Sequence, residues 1–332
     1  MSARGFWLAP LGALFGAAAG LRVALYSGGA LPRGRLAGPV ISVGNLSVGG
    51  TGKTPLVARL AELLRDEGLP VAILSRGYGG RRRSATLLVS DGAAVLADPE
   101  QAGDEAVMLA ERLPGVVVAV GRRRDRVGRF VESHFGPRVH LLDDGFQHLR
   151  LARDLDLVCV DAADLRDRPL PAGRLREPVS ALRRADVVLI GGADVETLRP
   201  LLGEQPRFAF RRRVAGFRGT GGEPADAPAR AYLLSGIARP ERFAEDARAA
   251  GVTVTGHDAY RDHHRFGAAE LEAAAERARR AGSDALLTTA KDRVRIRALP
   301  ASLPLLVMEI APVIEGEREL LERLRVAAGR PA

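Results

Sequence analysis

The sequence predicts an α/β protein in which a mostly parallel sheet is flanked by helices, with a second, smaller α/β domain and an apolar N-terminal helix. Two observations support this prediction. From residue 39 onward, short runs of Val, Ile and Leu alternate with stretches whose apolar residues recur at helical spacing. These runs are continuously apolar, which is typical of parallel strands covered by helices on both faces.

The predicted elements follow in chain order. The strands of the first domain are PVISVGN, PVAILSRG, ATLLVSDG (an edge or paired strand), GVVVAVG, RVHLLDDG, LDLVCVDA and ADVVLIGG. The helices between them are TPLVARLAELLRDEG, GDEAVMLAERL and RRDRVGRFVESHF. After residue 205 the strand RFAFRRRVAGFRG leads into a Gly/Pro/Ala stretch that suits a boundary, and LPLLVMEI is expected to return to the first domain. The predicted divisions are an N-terminal helix at 1–28, a first domain at 29–205, a linker at 206–228, a smaller α/β domain at 229–303 and a return strand with a terminal helix at 304–332.

The composition describes a folded protein and favours acidic partners. The chain has 332 residues, of which 46% are hydrophobic, and a formal net charge of +9. Phosphorylated substrates, nucleic acid and an anionic membrane surface all fit this charge. The arginine clusters are small and aromatic residues make up only 5%, so stacking platforms for bases are scarce. We therefore expect no nucleic-acid partner and see no sign of an obligate protein partner.

The stretch GFWLAPLGALFGAAAGLRVALY, residues 5–26, carries a single charge, Arg22. Pro10 interrupts it, and a spanning helix needs about 20 strongly apolar residues. A helix lying in the membrane interface fits better. It would present to lipid the side chains of Phe6, Trp7, Leu11, Leu14 and Phe15. The alternative is a helix packed on the protein's own core.

A glycine-rich stretch, GNLSVGGTGKTP at residues 44–55, lies between a predicted strand and a predicted helix. Backbone N–H groups of such a turn bind phosphate, the lysine reaches the β- and γ-phosphates, and the next hydroxyl binds Mg²⁺. The residues expected to bind the nucleotide are Ser47, Gly49, Gly50, Thr51, Gly52, Lys53 and Thr54. Ser47 stands where the Walker pattern has glycine, so this P-loop is a variant. A plain strand–helix turn is the alternative.

Lys53 is one of only two lysines in the chain; the other is Lys291. A compact ammonium on a flexible stem fits a tight phosphate loop better than a planar guanidinium. An arginine-biased chain therefore has a physical reason to keep Lys53. Lys291 follows the second domain's last strand and is equally well explained as a helix-start lysine beside Asp292.

A P-loop needs a further carboxylate for its metal at the end of a neighbouring strand. VHLLDDGFQH offers Asp143 and Asp144 there, and LREP adds Glu177 in a polar loop. Together with Thr54, these acids predict a Mg²⁺ site. The alternative is that the two adjacent aspartates only open a turn.

A kinase also needs a base for the acceptor hydroxyl. The candidates are Asp104 in AGDEAV and the histidines His263 and His264 in YRDHHRF. A histidine beside a carboxylate is a plausible proton acceptor near neutral pH. Taken singly, Asp104 also fits a helix cap and the histidines a polar surface loop.

Six motifs in order, GNLSVGGTGKTP, SRGYGG, GDE, DDGFQH, LREP and DHH, resemble the tetraacyldisaccharide 4'-kinase family over roughly residues 1–297. The resemblance implies transfer of the γ-phosphate of ATP to the 4'-hydroxyl of lipid A disaccharide 1-phosphate, which gives lipid IVA. It also implies Mg²⁺, an anionic glycolipid substrate and peripheral attachment to the cytoplasmic face of the inner membrane.

The resemblance also assigns roles to single residues. It implies that Asp104 is the catalytic base and His263 the histidine that supports it, with Lys53 and Thr54 on phosphate and metal. It implies that the residues around nucleotide and acceptor are Arg76, Tyr78, Arg124, Gln147 and His148. It implies that the acidic metal cluster is Asp143, Asp144 and Glu177. The chain departs from the family at Ala290, where TAKD replaces the usual TEKD.

Two other P-loop classes are disfavoured. Membrane-associated ATPase switches share the GGTGKT cadence but characteristically carry a lysine early in the loop, and LSVGG has Val48 and no lysine. A GTPase would carry Asn-Lys-x-Asp for guanine, whereas in TAKD Asp292 directly follows Lys291.

Overall fold

A computed structural model describes residues 8–48, 52–81, 84–162, 164–192 and 204–329. The helices are α1 (Ala9–Ser27), α2 (Lys53–Asp66), α3 (Pro99–Ala102), α4 (Asp104–Arg112), α5 (Arg124–Phe135), α6 (Pro240–Ala249), α7 (Ala268–Arg280), α8 (Ala290–Arg293) and α9 (Glu317–Ala327), with 3₁₀ turns at Asp164–Arg166 and Val179–Arg184. The strands are β1 (Val40–Asn45), β2 (Val71–Ser75), β3 (Thr86–Ser90), β4 (Val117–Gly121), β5 (Val139–Asp143), β6 (Leu155–Asp161), β7 (Val187–Gly191), β8 (Arg207–Gly219), β9 (Pro224–Ala225), β10 (Arg230–Ser235), β11 (Thr253–Ala259), β12 (Ala285–Thr289) and β13 (Leu305–Ile314).

The strands of the described residues form one sheet in the order β11-β10-β12-β13-β8-β7-β6-β1-β5-β2-β4-β3, with β9 beside β8. Most neighbours are parallel; β3 is an antiparallel edge strand on β4, and β8 runs antiparallel to β13. Buried Val, Ile and Leu runs with helices between them force this arrangement, because the crossover helices cover both faces. The predicted fold class is confirmed.

The long strands β8 and β13 join two groups of elements. We call residues 40–191 the P-loop half and residues 230–303 the distal half. β13 pairs with β12 of the distal half on one side and with β8 on the other. The domain boundaries drawn from composition stay a prediction.

The register of the central strands places the chemistry at one edge. β1 lies between β5 and β6, with Val43 opposite Asp143 and Asn45 opposite Cys159. The carboxyl ends of parallel strands are the usual ligand edge of such a sheet. The P-loop therefore leaves β1 beside the carboxylates that end β5.

Tight packing fixes the loop after β5. Phe146 is fully buried beneath β1, and a Cβ atom on Gly44 would lie 2.4 Å from the Phe146 Cβ atom. Glycine at position 44 is therefore required for this aromatic anchor. The anchor holds the segment that carries Asp143, Asp144 and Gln147 against the P-loop.

Helix α1 packs through one small-residue stripe and exposes most of its apolar surface. Gly12 and Gly16 lie against the 169–172 loop, and Tyr26 is buried. The outward apolar side chains are Leu11, Leu14, Phe15, Leu21 and Leu25. Residues 10–27 are long and apolar enough to cross a membrane by length and composition alone, and only 11% of that window is buried. Phe6 and Trp7 lie outside the described residues.

Candidate active site

The P-loop lysine lies between two oxygen ligands at the start of α2. Lys53 Nζ donates to Asn45 Oδ1 at 2.6 Å and to Asp144 Oδ1 at 2.8 Å. Gly52 precedes the helix with φ of 78°, a left-handed conformation that favours glycine. The ammonium is therefore oriented at the positive end of a helix, where anions bind. The predicted nucleotide ligands Gly49, Gly50 and Thr51 lie outside the described residues.

The two aspartates after β5 have opposite electrostatic environments. Asp144 lies between Lys53 and Arg176, whose NH1 is 2.7 Å from Oδ2. Burial opposes its ionisation, but the two cations outweigh burial and lower the pKa of Asp144 to about 2. Asp143 is buried beside Glu105 and Asp144, and burial together with these like charges raises its pKa to about 6.

Glu105 completes an oxygen-rich group next to the P-loop. Its Oε2 lies 3.4 Å from Thr54 Oγ1, and Ser75 Oγ donates to Asp143 Oδ2 at 3.0 Å. Within the described ranges, no three His, Cys, Asp or Glu side chains form a cluster that could hold a metal alone. Mg²⁺ in kinase sites needs only one or two carboxylates, because phosphate oxygens and water supply the rest. Asp143, a carboxyl whose pKa is raised by burial and by acidic neighbours, fits such a cation.

We expect Asp143→Asn to stabilise the metal-free protein above pH 6 while abolishing Mg-ATP-dependent activity. The pKa of Asp143 is raised from 3.8 to about 6 in the folded protein. Its contribution to stability is complete below about pH 4 and is lost as the pH rises through about 6, by at most about 3 kcal/mol. Thermal melts of both proteins in EDTA from pH 5 to 8 check this, with the variant melting a few degrees higher at pH 7.5. A variant that melts lower there would contradict the assignment.

The candidate base and histidine, far apart in the sequence, meet across the two halves. His263 Nδ1 lies 2.7 Å from Asp104 Oδ2, and Asp104 is 8% exposed. Asp104 is the first residue of α4, and its neighbour Glu105 reaches Thr54 on α2. The Asp104–His263 pair and the P-loop are therefore linked through one helix start.

Backbone strain occurs at two site residues. Among the described residues, the non-glycine positions with positive φ are Asp144 at 55° and His263 at 63°. Each costs on the order of 1–2 kcal/mol and must be held by its surroundings. The His263 N–H donates to Gly236 O at 3.0 Å. Strain of this kind clusters at functional sites, so it supports the placement of both residues in one.

A close backbone contact fixes the start of α4. Gly103 has φ of 90° and ψ of 147°, and a Cβ atom there would lie 2.3 Å from Tyr78 O. The SRGYGG loop therefore packs directly on the GDE segment.

We expect Gly103→Ala to destabilise the protein by about 3 kcal/mol or more, because it adds a backbone clash to a conformation that glycine alone adopts readily. The matched control is Gly68→Ala, where φ is 74° but no atom lies within 4 Å of the added Cβ atom. That variant should cost only about 1–2 kcal/mol. Urea unfolding of both variants measures the difference, and equal losses would show that the Tyr78 contact is not limiting.

Acids of α3 and α4 form ion pairs with cations of the distal half. Glu100 contacts Arg265 at 3.2 Å and Arg297 at 3.3 Å, and Glu105 contacts Lys291 at 3.5 Å. Lys291 also lies 3.3 Å from Asp262. Ala290, the departure from the family pattern, is the first residue of α8 directly before this lysine.

The residues expected around the nucleotide and the acceptor have different environments. Tyr78 is 72% exposed and its ring centroid lies 6.0 Å from that of His263; Arg76 is also exposed. Arg124 is buried, and its NH2 donates to Asp144 O at 3.3 Å. Gln147 Nε2 donates to Asn45 O at 3.0 Å. Their roles stay a prediction.

His148 is a buried neutral imidazole. Burial and the nearby Arg124 lower its pKa to about 3. In the described part of the chain, neither its Nε2 atom nor Oε1 of Gln147 has a hydrogen-bond partner. Two adjacent side chains therefore offer unused polar atoms, as expected of groups that orient a polar ligand.

Two predicted ligands make structural contacts. Ser47 is buried and its Oγ donates to Asp164 Oδ2 at 2.9 Å. Glu177 is buried and lies 2.8 Å from Arg184, whose guanidinium covers the Phe146 ring. These contacts neither test nor remove the predicted nucleotide and metal roles. His264, the other candidate histidine, stacks on Tyr260 and contacts Glu270.

Sequence reasoning missed four side chains that the structure brings into the site. They are Asn45, Glu105, Arg176 and Arg295. Three of them stand inside motifs already noted, Asn45 in GNLSVGGTGKTP, Glu105 in GDE and Arg176 in LREP, so adjacency to a predicted site residue was an available signal. Arg295 gave none, because its role depends on long-range contacts.

Comparisons with known proteins agree along nearly the whole chain. A model of the tetraacyldisaccharide-1-P 4'-kinase family matches residues 4–328. The chain is 44% identical over 314 residues to a tetraacyldisaccharide 4'-kinase of Anaeromyxobacter dehalogenans, covering 86% of this chain and 83% of the relative. It is 39% identical over 310 residues to the Desulfotalea psychrophila protein of the same name, covering 89% of each.

A solved structure gives the same picture. The structure of LpxK from Aquifex aeolicus, described as an apo form in complex with ATP, superposes with a TM-score of 0.80 at 32% identity. The superposition covers 98% of this chain and 99% of that one. By family match, by relatives and by fold, this chain belongs to the tetraacyldisaccharide-1-P 4'-kinase family.

Proposed function

We propose that the protein transfers the γ-phosphate of ATP to the 4'-hydroxyl of lipid A disaccharide 1-phosphate, giving lipid IVA in lipopolysaccharide biosynthesis. One observation carries this proposal. Asp104, which contacts His263, is the first residue of α4, and the next residue of that helix, Glu105, contacts Thr54 of the P-loop helix. A phosphate-binding loop and a proton acceptor are therefore adjacent, which a kinase needs and a simple nucleotide-binding module does not.

In the proposed reaction the acceptor oxygen bonds to the γ-phosphorus, the bond to the β,γ-bridging oxygen breaks, and ADP leaves. The hydroxyl proton passes to the Asp104 carboxylate, which His263 orients through the 2.7 Å contact. Lys53 binds the phosphates, and Asn45 and Asp144 hold its ammonium in place at the start of α2. Positioning of this kind supplies most of the catalysis in phosphoryl transfer.

Magnesium fits the oxygen group beside the P-loop. Thr54, Asp143, Asp144 and Glu177 are the predicted ligands, and the position of Glu105 adds it to them. When bound, the ion neutralises charge on the phosphate oxygens. Burial and neighbouring acids raise the pKa of Asp143, and a nearby cation would oppose this shift by favouring the ionised form.

The exposed apolar face of α1 supports peripheral attachment to the cytoplasmic face of the inner membrane, where a lipid acceptor would lie. We expect Leu14→Glu with Leu21→Glu to lower binding to phosphatidylethanolamine–phosphatidylglycerol vesicles by about tenfold or more, because both side chains are more than half exposed on α1. Leu299→Glu, at a side chain that is also more than half exposed but lies in the distal half, is the control. Vesicle sedimentation measures binding, and equal losses would remove the role of α1.

The activity is tested with purified protein, Mg-ATP and lipid A disaccharide 1-phosphate in detergent micelles. Mass spectrometry of the lipid should show one added phosphate with the wild type and none with Lys53→Ala. Hydrolysis of ATP with unchanged lipid would contradict the proposal and favour an ATPase switch.

A further inference from the structure

Arg295 is a buried cation at the junction of the two halves. Its side chain is 4% exposed, and it forms an ion pair with Asp292, which is fully buried in α8 directly after β12. Arg295 NH1 donates to His264 O at 2.7 Å and NH2 donates to Gly236 O at 3.1 Å. The guanidinium therefore joins α8 to the loop after β10 and to the loop that carries His263.

These contacts hold His263 on both sides. The His263 N–H donates to Gly236 O, and the next residue's carbonyl accepts from Arg295. His263 has a left-handed backbone that must be held by its surroundings. Because Arg295 binds both carbonyls, it fixes the conformation that directs the imidazole at Asp104.

Arg295 also reaches the carboxylate itself. Its Nε lies 3.3 Å from Asp104 Oδ2, the same oxygen that His263 Nδ1 contacts at 2.7 Å. This contact is an ion pair without a hydrogen bond, because the Arg295 Nε–H is not aligned for a hydrogen bond to any described residue. Both neighbours approach Oδ2, whereas Oδ1 forms no side-chain hydrogen bond or ion pair with the described residues.

We propose that Arg295 is a positioning residue for phosphoryl transfer: it holds the His263 loop and Asp104 Oδ2 in register across the two halves, so that Oδ1 meets the acceptor hydroxyl. The proposal rests on the proposed kinase function for its catalytic consequence. A planar fork with several donors can make these contacts at once, whereas an ammonium cannot.

A matched control lies two residues away. Arg297 also contacts an acid of the P-loop half, Glu100 at 3.3 Å, but its side chain is 71% exposed. We expect Arg295→Gln to lower kcat by about 10²-fold while KM for ATP and for lipid change less than about threefold, because the loss is one of alignment. Arg297→Gln should leave kcat and both KM values within about twofold of the wild type. Arg295→Lys keeps the buried charge opposite Asp292 and should recover part of kcat.

A double-mutant cycle separates positioning from general structural support. If Arg295 acts through Asp104, Arg295→Gln should lower kcat little further in the Asp104→Asn background, whereas independent effects multiply. A full additional loss in that background would overturn the proposal. So would a wild-type kcat in Arg295→Gln.

A second readout does not require activity. The imidazole Nδ1 proton of His263 bound to a carboxylate should give a far-downfield ¹H resonance, assigned by its loss in His263→Ala. We expect this resonance in the wild type and in Arg297→Gln, and its loss or exchange broadening in Arg295→Gln and Arg295→Lys. Its persistence in both Arg295 variants would overturn the proposal even if the lipid were not the acceptor. A failed lipid assay with the resonance behaving as expected would overturn only the kinase function.

Discussion

Lys53→Ala is expected to lower kcat/KM for phosphorylation by about 10³-fold and to weaken nucleotide binding as well. The ammonium is the cation at the start of α2 and is oriented by Asn45 and Asp144. Loss of one preorganised charged donor commonly costs 10²–10³-fold in turnover, and here it also removes a ground-state contact to phosphate. Both kcat/KM and the dissociation constant of the nucleotide should therefore change. Steady-state kinetics and calorimetric binding of a non-hydrolysable ATP analogue measure them.

The matched control for this change is Lys291→Ala. This is the other lysine of the chain, and it also pairs with site-proximal acids, Glu105 and Asp262. It should lose no more than a few-fold in turnover and keep nucleotide affinity, because exposed or partly exposed ion pairs contribute little. A Lys53→Ala protein that binds nucleotide as tightly as the wild type would contradict the placement of phosphate at this loop.

Asp104→Asn is expected to lower kcat by about 10²–10⁴-fold while the affinity for Mg-ATP stays within about threefold. The isosteric amide preserves the volume at the start of α4 but cannot accept the hydroxyl proton. Because Asp104 contacts His263 and Arg295 rather than the P-loop lysine, nucleotide binding should be spared. Comparison of kcat with the dissociation constant of the nucleotide separates this variant from Lys53→Ala.

Glu100→Gln is the control for Asp104→Asn. Glu100 is an acid of the same interface and contacts Arg265 and Arg297, but its side chain is 48% exposed. Its loss should change kcat by less than about twofold. If Asp104→Asn turned over at the wild-type rate, Asp104 would not be the base, whatever happened at Glu100.

The sequence predicted the fold because its signals are local. Buried strands such as β1 and β5 are continuous runs of apolar residues, and α2 follows a glycine-rich turn. For β3 the sequence left an edge or a paired position open, and the structure places it at the edge of the sheet on β4. The residues of the P-loop and of Asp104 and His263 stood in recognisable motifs, so they could be selected before their contacts were known.

Other parts of the site could not be predicted, because they arise only when distant segments meet. Arg295 is one arginine among many in this sequence, and only burial beside Asp292 and Asp104 sets it apart. Asn45 stands in the P-loop motif, but its role as the acceptor for Lys53 Nζ is visible only in the folded structure. The different pKa values of Asp143 and Asp144 likewise depend on tertiary contacts: burial and neighbouring acids raise the pKa of Asp143, whereas Lys53 and Arg176 lower that of Asp144.

The most direct test of the central claim is a single-turnover reaction with [γ-³²P]ATP, excess enzyme and lipid A disaccharide 1-phosphate in micelles. The label in lipid and in inorganic phosphate is counted, and the product is mapped by ¹H–³¹P correlation. We expect one labelled phosphate in lipid for each ATP consumed, attached at the 4' position. Label recovered as inorganic phosphate, or attached at another position of the sugar, would contradict it.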